Sequence, residues 1–330
     1  MRKINNVPVE AHTDLSNLTG GEVLKWDADS GKMVWEEVDG TDYIPVYWWL
    51  GGRGIFGAGY YVTGDYNVNI IDYITIASTG NASDFGDTLQ VKSNHCSCSN
   101  GSRGVFAGGA DSGWSAINEI EYITISTLGN GTDFGDLTRT ASGIAAVSDG
   151  SRGCFNGNGS NVIDYITIGT LGNATDFGDL SRTTLNSVSG AGGTTRGLFA
   201  GGTGTDDTID YITISTLGNS TDFGNLSVGR QSTAGLSGET RALFGGGHLA
   251  LTVIDYVTVD TTGNATDFGD LTRGARYPAG CSDNTKGVWG GGEPSAQNVM
   301  DYVTIATTSN ATDFGDLTQG RGNIAACSGD

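Results

Sequence analysis

Proline, methionine and histidine are scarce: the 330 residues hold 4, 3 and 3 of them. So little proline, with glycine that does not recur every third residue, excludes a collagen-like rod. His12, His95 and His248 are too few and too scattered for a metal centre or a hydrolytic triad. The five cysteines show no zinc-ligand spacing. Basic residues number 17 against 37 acidic ones, a formal charge of −20. Such a surface repels polyanions, so nucleic acid is not an expected partner. No apolar run approaches the roughly 20 residues that span a bilayer, which argues against membrane insertion. Met1-Arg2-Lys3-Ile4-Asn5-Asn6 leads into polar sequence, so no signal peptide is expected.

What is abundant is glycine, 55 residues. Glycine costs a helix interior roughly 1 kcal/mol relative to alanine, so a turn-rich all-β chain is expected. Much of it belongs to internal repeats. One phrase reads Ile-Asp-Tyr-Ile-Thr-Ile, a linker, then Asn-Ala-Thr-Asp-Phe-Gly-Asp-Leu. Its tyrosine is Tyr73, Tyr122, Tyr165, Tyr211, Tyr256 and Tyr302. Its phenylalanine follows 12 residues later each time, at Phe85, Phe134, Phe177, Phe223, Phe268 and Phe314. A second phrase, Arg-Gly-Val-Phe-Ala-Gly-Gly at 103–109, has its aromatic at Phe56, Phe106, Phe155, Phe199, Phe244 and Trp289.

The tyrosines recur every 43 to 49 residues, with four short strand segments per unit. That period and content predict a β-propeller of six four-stranded blades. The chain ends on an innermost-type segment, Asn323-Ile324-Ala325-Ala326-Cys327, and the repeats open on a second-type segment, Arg53-Gly54-Ile55-Phe56. Joining the two completes a sixth blade and leaves no open sheet edge. Val46-Tyr47-Trp48-Trp49-Leu50 competes for the same slot, but the innermost slots elsewhere hold small residues and paired tryptophans fit them poorly. The chain is therefore divided into an amino-terminal segment, 1–45, and a propeller, 46–330.

The order of glycine pair, tyrosine and aromatic resembles the kelch family of propellers over residues 51–330. Gly108-Gly109, Gly201-Gly202 and Gly291-Gly292 stand at the family's glycine pair, and Tyr122 and its equivalents at its tyrosine. Phenylalanine replaces the family's tryptophan. In that family the carboxy-terminal strand often completes the first blade, which agrees with the closure above. Residues 1–45 do not repeat. Leu18-Thr19-Gly20-Gly21-Glu22-Val23-Leu24-Lys25-Trp26-Asp27, a turn, then Met33-Val34-Trp35 resembles a segment of bacteriophage tail-fibre and other virion proteins. Its residues read as a β-hairpin, with Trp26 and Trp35 as attachment residues.

The recurrent acids, before the tyrosine, before the phenylalanine and after the following glycine, suggest calcium. No calcium-loop spacing accompanies them, so turn capping and pairing with Arg53, Arg103, Arg152, Arg196, Arg241 and Lys286 is the preferred reading. Cys96, Cys98, Cys154, Cys281 and Cys327 take slots held elsewhere by small or apolar residues, which makes them core residues, although Cys96 and Cys98 share one side of a strand and could be oxidised. The sequons at Asn173 and Asn264 fall where asparagine suits a turn. Asp-Phe-Gly in six copies, with no catalytic loop, is a repeat element and not a kinase motif. No cofactor is expected, and no enzyme.

Regularity fails in one connection. From the second-strand aromatic to the tyrosine the spacing is 17, 16, 10, 12, 12 and 13 residues. These variable loops share a face with the connections between blades, and that face is the candidate binding surface. It carries Tyr60, Tyr61, Tyr66, Trp114, Asp206, Asp207 and His248, with Arg276 and Tyr277 from a connection between blades. Aromatics with a few polar partners suit carbohydrate stacking or protein docking. Together with the resemblances, this implies a phage virion structural protein, a tail fibre or appendage. It would be made in the host cytoplasm and located in the virion. It would join other virion proteins through 1–45, form a homo-oligomer, and bind a host-surface receptor, a glycan among the candidates. A cytoplasmic kelch-type adaptor for a protein partner is the alternative, and a carbohydrate-active enzyme the third reading.

Overall fold

The structure is a computed structural model. It describes 3–4, 7–8, 22–27 and 32–37 as backbone, and 51–61, 63–183, 187–294 and 297–329 in full. Every regular element among the described residues is a β-strand. Contacts divide the chain into Met1–Val46 and Tyr47–Asp330. In the first unit, Lys3–Ile4 pairs with Val7–Pro8, and Glu22–Asp27 with Lys32–Glu37. The second pair is the hairpin expected from the sequence, with Leu24 opposite Trp35 and Trp26 opposite Met33. The surroundings of the Trp26 and Trp35 side chains lie outside the described residues, as do residues 46–50.

The second unit is a six-bladed β-propeller of four-stranded antiparallel blades. Blade 3 is typical: Ile144–Ser148 innermost, then Arg152–Gly157, Val162–Thr167 and Thr175–Asp179. The other innermost strands are Ala325–Gly329, Cys96–Ser99, Ser189–Gly192, Ala234–Ser237 and Ala279–Ser282, of blades 1, 2, 4, 5 and 6. Each packs against the next, and the last against the first. Blade 1 is shared by both ends of the propeller: Ala325–Gly329 pairs with Arg53–Gly57, Ala326 opposite Phe56.

The pairing of the third strand with the fourth is irregular at one place in every blade. A register shift falls between Ile163 and Asp164, and at the matching pair in the other five. The extra residue is on the fourth strand, Phe177 in blade 3, and the third strand keeps its alternation. Ile163 and Tyr165 point toward blade 4 and Asp164 and Ile166 toward blade 2, so neighbouring blades cover both of its faces. Asp72, Glu121, Asp164, Asp210, Asp255 and Asp301 are therefore all buried. Next to the bulged phenylalanine stands the glycine of Asp-Phe-Gly. At Gly178, φ is +146° and an added Cβ would sit 2.5 Å from the Gly218 carbonyl oxygen of the next blade. Only glycine fits there.

The blades are laced to one another at that edge. Gly218 N–H donates to Phe177 O at 3.0 Å, and Asn219 Oδ1 accepts from Asp179 N–H at 3.0 Å. The same asparagine bond recurs at Asn81, Asn130, Asn173, Asn264 and Asn310. The sequon asparagine is thus a clamp between blades. The core is correspondingly divided into wedges between neighbours: Val147, Cys154, Ile163 and Phe177 of blade 3 pack with Phe199 and Ile212 of blade 4. All five cysteines lie buried in such wedges.

The expected pairing of acids with the recurrent basic slot is corrected. Arg152 lies over the Tyr165 ring, 5.1 Å from its centroid, and donates to Ile214 O of blade 4 at 3.1 Å. Arg53, Arg103, Arg196, Arg241 and Lys286 do the same. The buried acids use a second set of partners, from the connection that precedes each third strand's blade. Arg321 bonds Asp72 at 3.0 Å, Arg230 bonds Asp255 at 2.7 Å, Arg182 bonds Asp210 at 2.9 Å, and Lys92 pairs with Glu121. Thr138 and Thr272 hydroxyls serve Asp164 and Asp301, each at 2.6 Å. The physical reason is the alternation of the third strand. It points the acid at the preceding blade, where that connection runs, while the tyrosine under the arginine faces the next blade.

Arg321 and Asp72 are both fully buried. Arg321→Met is expected to cost about 3–5 kcal/mol in urea unfolding, because it strands a buried carboxylate. Adding Asp72→Leu should recover most of that loss. A single-variant cost under about 1 kcal/mol would show that the pair does not hold the two blades.

Candidate functional site

Both families of connection emerge on one face. Isolated bridges join them, Tyr60 with Gly322, Ser93 with Ala110 and Arg276 with Glu293. At the axis this face is closed by a circle. Asn94, Gly143, Ser187, Ser232, Tyr277 and Asn323 each donate N–H to the carbonyl of the one before, and Asn94 donates to Asn323, at 2.8–3.0 Å. All six have positive φ, between 54° and 63°. Asparagine, glycine and serine adopt this conformation more readily than a bulky aromatic, so Tyr277 at 54° is the outlier.

Beneath the circle lie axial cavities of about 70 and 90 Å³. Ser189, Ser232 and Thr233 line them, and their buried hydroxyls have no hydrogen-bond partner in the protein. Buried polar groups in so small a space suit bridging water. Burial, and then Lys92, hold the His95 imidazole well below its usual pKa, so it stays neutral. Burial likewise pushes the Cys154 and Cys327 thiols up to about 12, which removes them as nucleophiles at neutral pH. A larger hollow of about 300 Å³ lies at the opposite turn of blade 5, lined by Tyr256, Thr258, Thr262 and Asn264 among others, with no charged group.

The face is unequal around the ring. In blade 1 the variable loop is largely strand: Arg53–Tyr61 and Tyr66–Thr75 run on as a hairpin to a Tyr61–Tyr66 pair. Those two rings lie 5.4 Å apart. The next loop, in blade 2, is pinned to this hairpin by Asn67, whose Nδ2 donates to Ala110 O at 3.1 Å and Asp111 O at 2.8 Å. Asp111 Oδ1 accepts from Gly113 N–H and Ser115 N–H at 2.8 and 2.9 Å, a tight turn that holds Trp114 at φ 63°. The indole meets Tyr60 edge-on at 5.1 Å and remains 54% exposed. Tyr60 is fixed in turn: its backbone exchanges bonds with Gly322, and its hydroxyl donates to Asp65 Oδ1 at 2.5 Å. That bond is the main cause of a raised Tyr60 pKa.

No protein-family model matches this chain, and no curated protein is similar to it.

Blade 6 extends the sector toward the axis. Glu293 bonds Arg276 at 2.6 Å and Asn323 Nδ2 at 2.9 Å, and its charge also acts on Tyr60. Six of the nine residues expected on this face, Tyr60, Tyr61, Tyr66, Trp114, Arg276 and Tyr277, therefore fall in the sector of blades 6, 1 and 2. The others lie elsewhere on the ring. Asp206 is engaged by Arg182 and caps Thr208 N–H. Asp207 is exposed and accepts from Leu226 N–H through its backbone oxygen, and His248 is half-buried on blade 5. Asp65, Asp111, Glu293 and Asn323 were missed in the sequence. The run Asp111-Ser-Gly-Trp carried a turn signal for one of them.

The left-handed backbone gives a direct test of what Trp114 is for. Relief of strain in Trp114→Gly, roughly 1–2 kcal/mol, is expected to offset the lost ring contact, about 0.5–1.5 kcal/mol. Unfolding free energy should thus stay within about 1 kcal/mol of the parent. A larger loss in thermal or urea unfolding would mark the indole as a packing residue.

Proposed function

We propose that this chain is a bacteriophage virion protein, a tail fibre or appendage, that binds a host-surface receptor through the sector of blades 6, 1 and 2. One observation carries the binding role. Six nearly identical blades diverge there, and the divergence produces exposed aromatics, one of them, Trp114, on left-handed backbone. Tyr66 and Trp114 are 51% and 54% exposed. Strain of this kind persists where the surrounding structure enforces it, and it concentrates at functional sites. The kelch-like reading of the blades is supported by Gly108, Gly109, Gly201, Gly202, Gly291 and Gly292, all at positive φ. The virion reading rests on the amino-terminal Val23-Leu24-Lys25-Trp26-Asp27 phrase and its partner Met33-Val34-Trp35. In it, residues 1–45 join other virion proteins and the propeller is displayed in several copies. Weak single contacts then sum by avidity. The role in this reading is binding without turnover.

Two measurements test this. Mass spectrometry of purified particles of the encoding phage should detect the chain at structural abundance. Fluorescently labelled protein should attach to host cells, and Trp114→Gly should reduce attachment at least tenfold. Particles lacking the chain would remove the virion assignment, and unchanged attachment of the variant would remove the sector as the binding site.

A further inference from the structure

We infer that the receptor recognised by this sector is an uncharged pyranose glycan, stacked on Trp114 beside Tyr60 and Tyr66, with its hydroxyls donated to Asp65. This rests on the receptor-binding reading above and adds the chemical class of the ligand. The first ground is shape. The axial cavities, about 70 and 90 Å³, are small and lie beneath the hydrogen-bonded circle, whereas the aromatic rings stand on the open surface. An open aromatic ledge suits a flat, amphipathic ligand laid on it. The C–H face of a pyranose is such a surface, apolar and weakly positive against the negative ring face.

The second ground is the polar complement. The groups beside the rings are acceptors. Asp65 is exposed and already takes the Tyr60 hydroxyl, the same kind of bond that a sugar hydroxyl would make. Hydroxyl-to-carboxylate bonds are charge-assisted and directional, so they orient a ligand that stacking alone would leave free to rotate. Tyr60 lies within reach of both Asp65 and Glu293, whose charges raise its pKa, so its hydroxyl stays protonated and hydrogen-bonding.

The third ground is charge, and it separates neutral from acidic glycans. Three cations of the sector are already matched by carboxylates. Arg276 bonds Glu293 at 2.6 Å, Arg321 bonds Asp72 at 3.0 Å, and Lys92 is buried between Glu119 and Glu121. A sialic acid, uronic acid, sulfate or phosphate would find none of these three free. It would also enter the field of a chain with a formal charge of −20.

The test uses the full chain at physiological salt on immobilised neutral gluco-, galacto- and manno-oligosaccharides and on sialylated and sulfated counterparts. At least one neutral series should retain the protein, and the acidic counterparts should retain it at least tenfold less. Trp114→Gly should lower neutral-glycan retention at least tenfold. Asp65→Asn should lower it several-fold while the thermal midpoint stays unchanged. Preferential retention on acidic glycans, no glycan retention, or a Trp114→Gly chain that binds like the parent would each overturn the inference. Cell attachment separates the two levels. If Trp114→Gly abolishes attachment while no neutral glycan is retained, the receptor site stands and the sugar assignment falls. If attachment does not change, the receptor site itself falls.

Discussion

Six backbone hydrogen bonds close a circle about the propeller axis, from Asn94 through Gly143, Ser187, Ser232, Tyr277 and Asn323 and back. A closed circle imposes a condition that an open sheet does not: each blade must fit the blade before it and the blade after it at once. The lacing at the outer edge obeys the same condition. An asparagine clamp, a stacked arginine and a buried acid recur because every wedge between blades must have the same angle. Near-identity of the repeats is the sequence consequence. The last join, Ala325–Gly329 against Arg53–Gly57, brings together strands more than 250 residues apart in the chain. It makes the two ends of the propeller interdependent.

Much of this was legible because it repeats. The constant 12-residue step from Tyr73 to Phe85 and its equivalents marks an edge-to-face ring pair, at 6.1 Å in blade 1 and nearly the same in the rest. The orphan Arg53-Gly54-Ile55-Phe56 strand located the closure. What stayed hidden was the bulge and the burial of the acid. The extra residue at Phe177 shows only when the third strand is in place, and the acid of the alternating Ile-Asp-Tyr-Ile-Thr is buried because the preceding blade covers its face. The partners of those acids were hidden for a related reason. Lys92, Arg230 and Arg321 lie 7 residues after their phenylalanine, Arg182 lies 5 after, and Thr138 and Thr272 lie 4 after, so no single column holds them. Two connection paths deliver a cation to the same wedge.

The candidate site was legible in outline for the opposite reason, since it is where repetition stops. Length variation pointed to Tyr60, Tyr61, Tyr66 and Trp114 before their contacts were known. It could not tell an aromatic that faces solvent from a polar residue already committed. Asp206 looked available in the sequence but serves Arg182 and a strand end. Nor could it show that the longest loop continues the strands of blade 1, which gives the aromatic ledge a rigid base. A constrained scaffold makes this division of labour workable. Left-handed backbone at Trp114 and Tyr277 is tolerable because the circle and the hairpin beneath it are fixed by many other bonds.

The circle is the central claim, and native-state hydrogen exchange reads it directly. If closure binds the blades into one cooperative unit, the amides of Asn94, Gly143, Ser187, Ser232, Tyr277 and Asn323 should share one opening free energy, equal to that of global unfolding. Graded protection, with Tyr277, Asn323 and Asn94 opening first next to the join of the two ends, would contradict it.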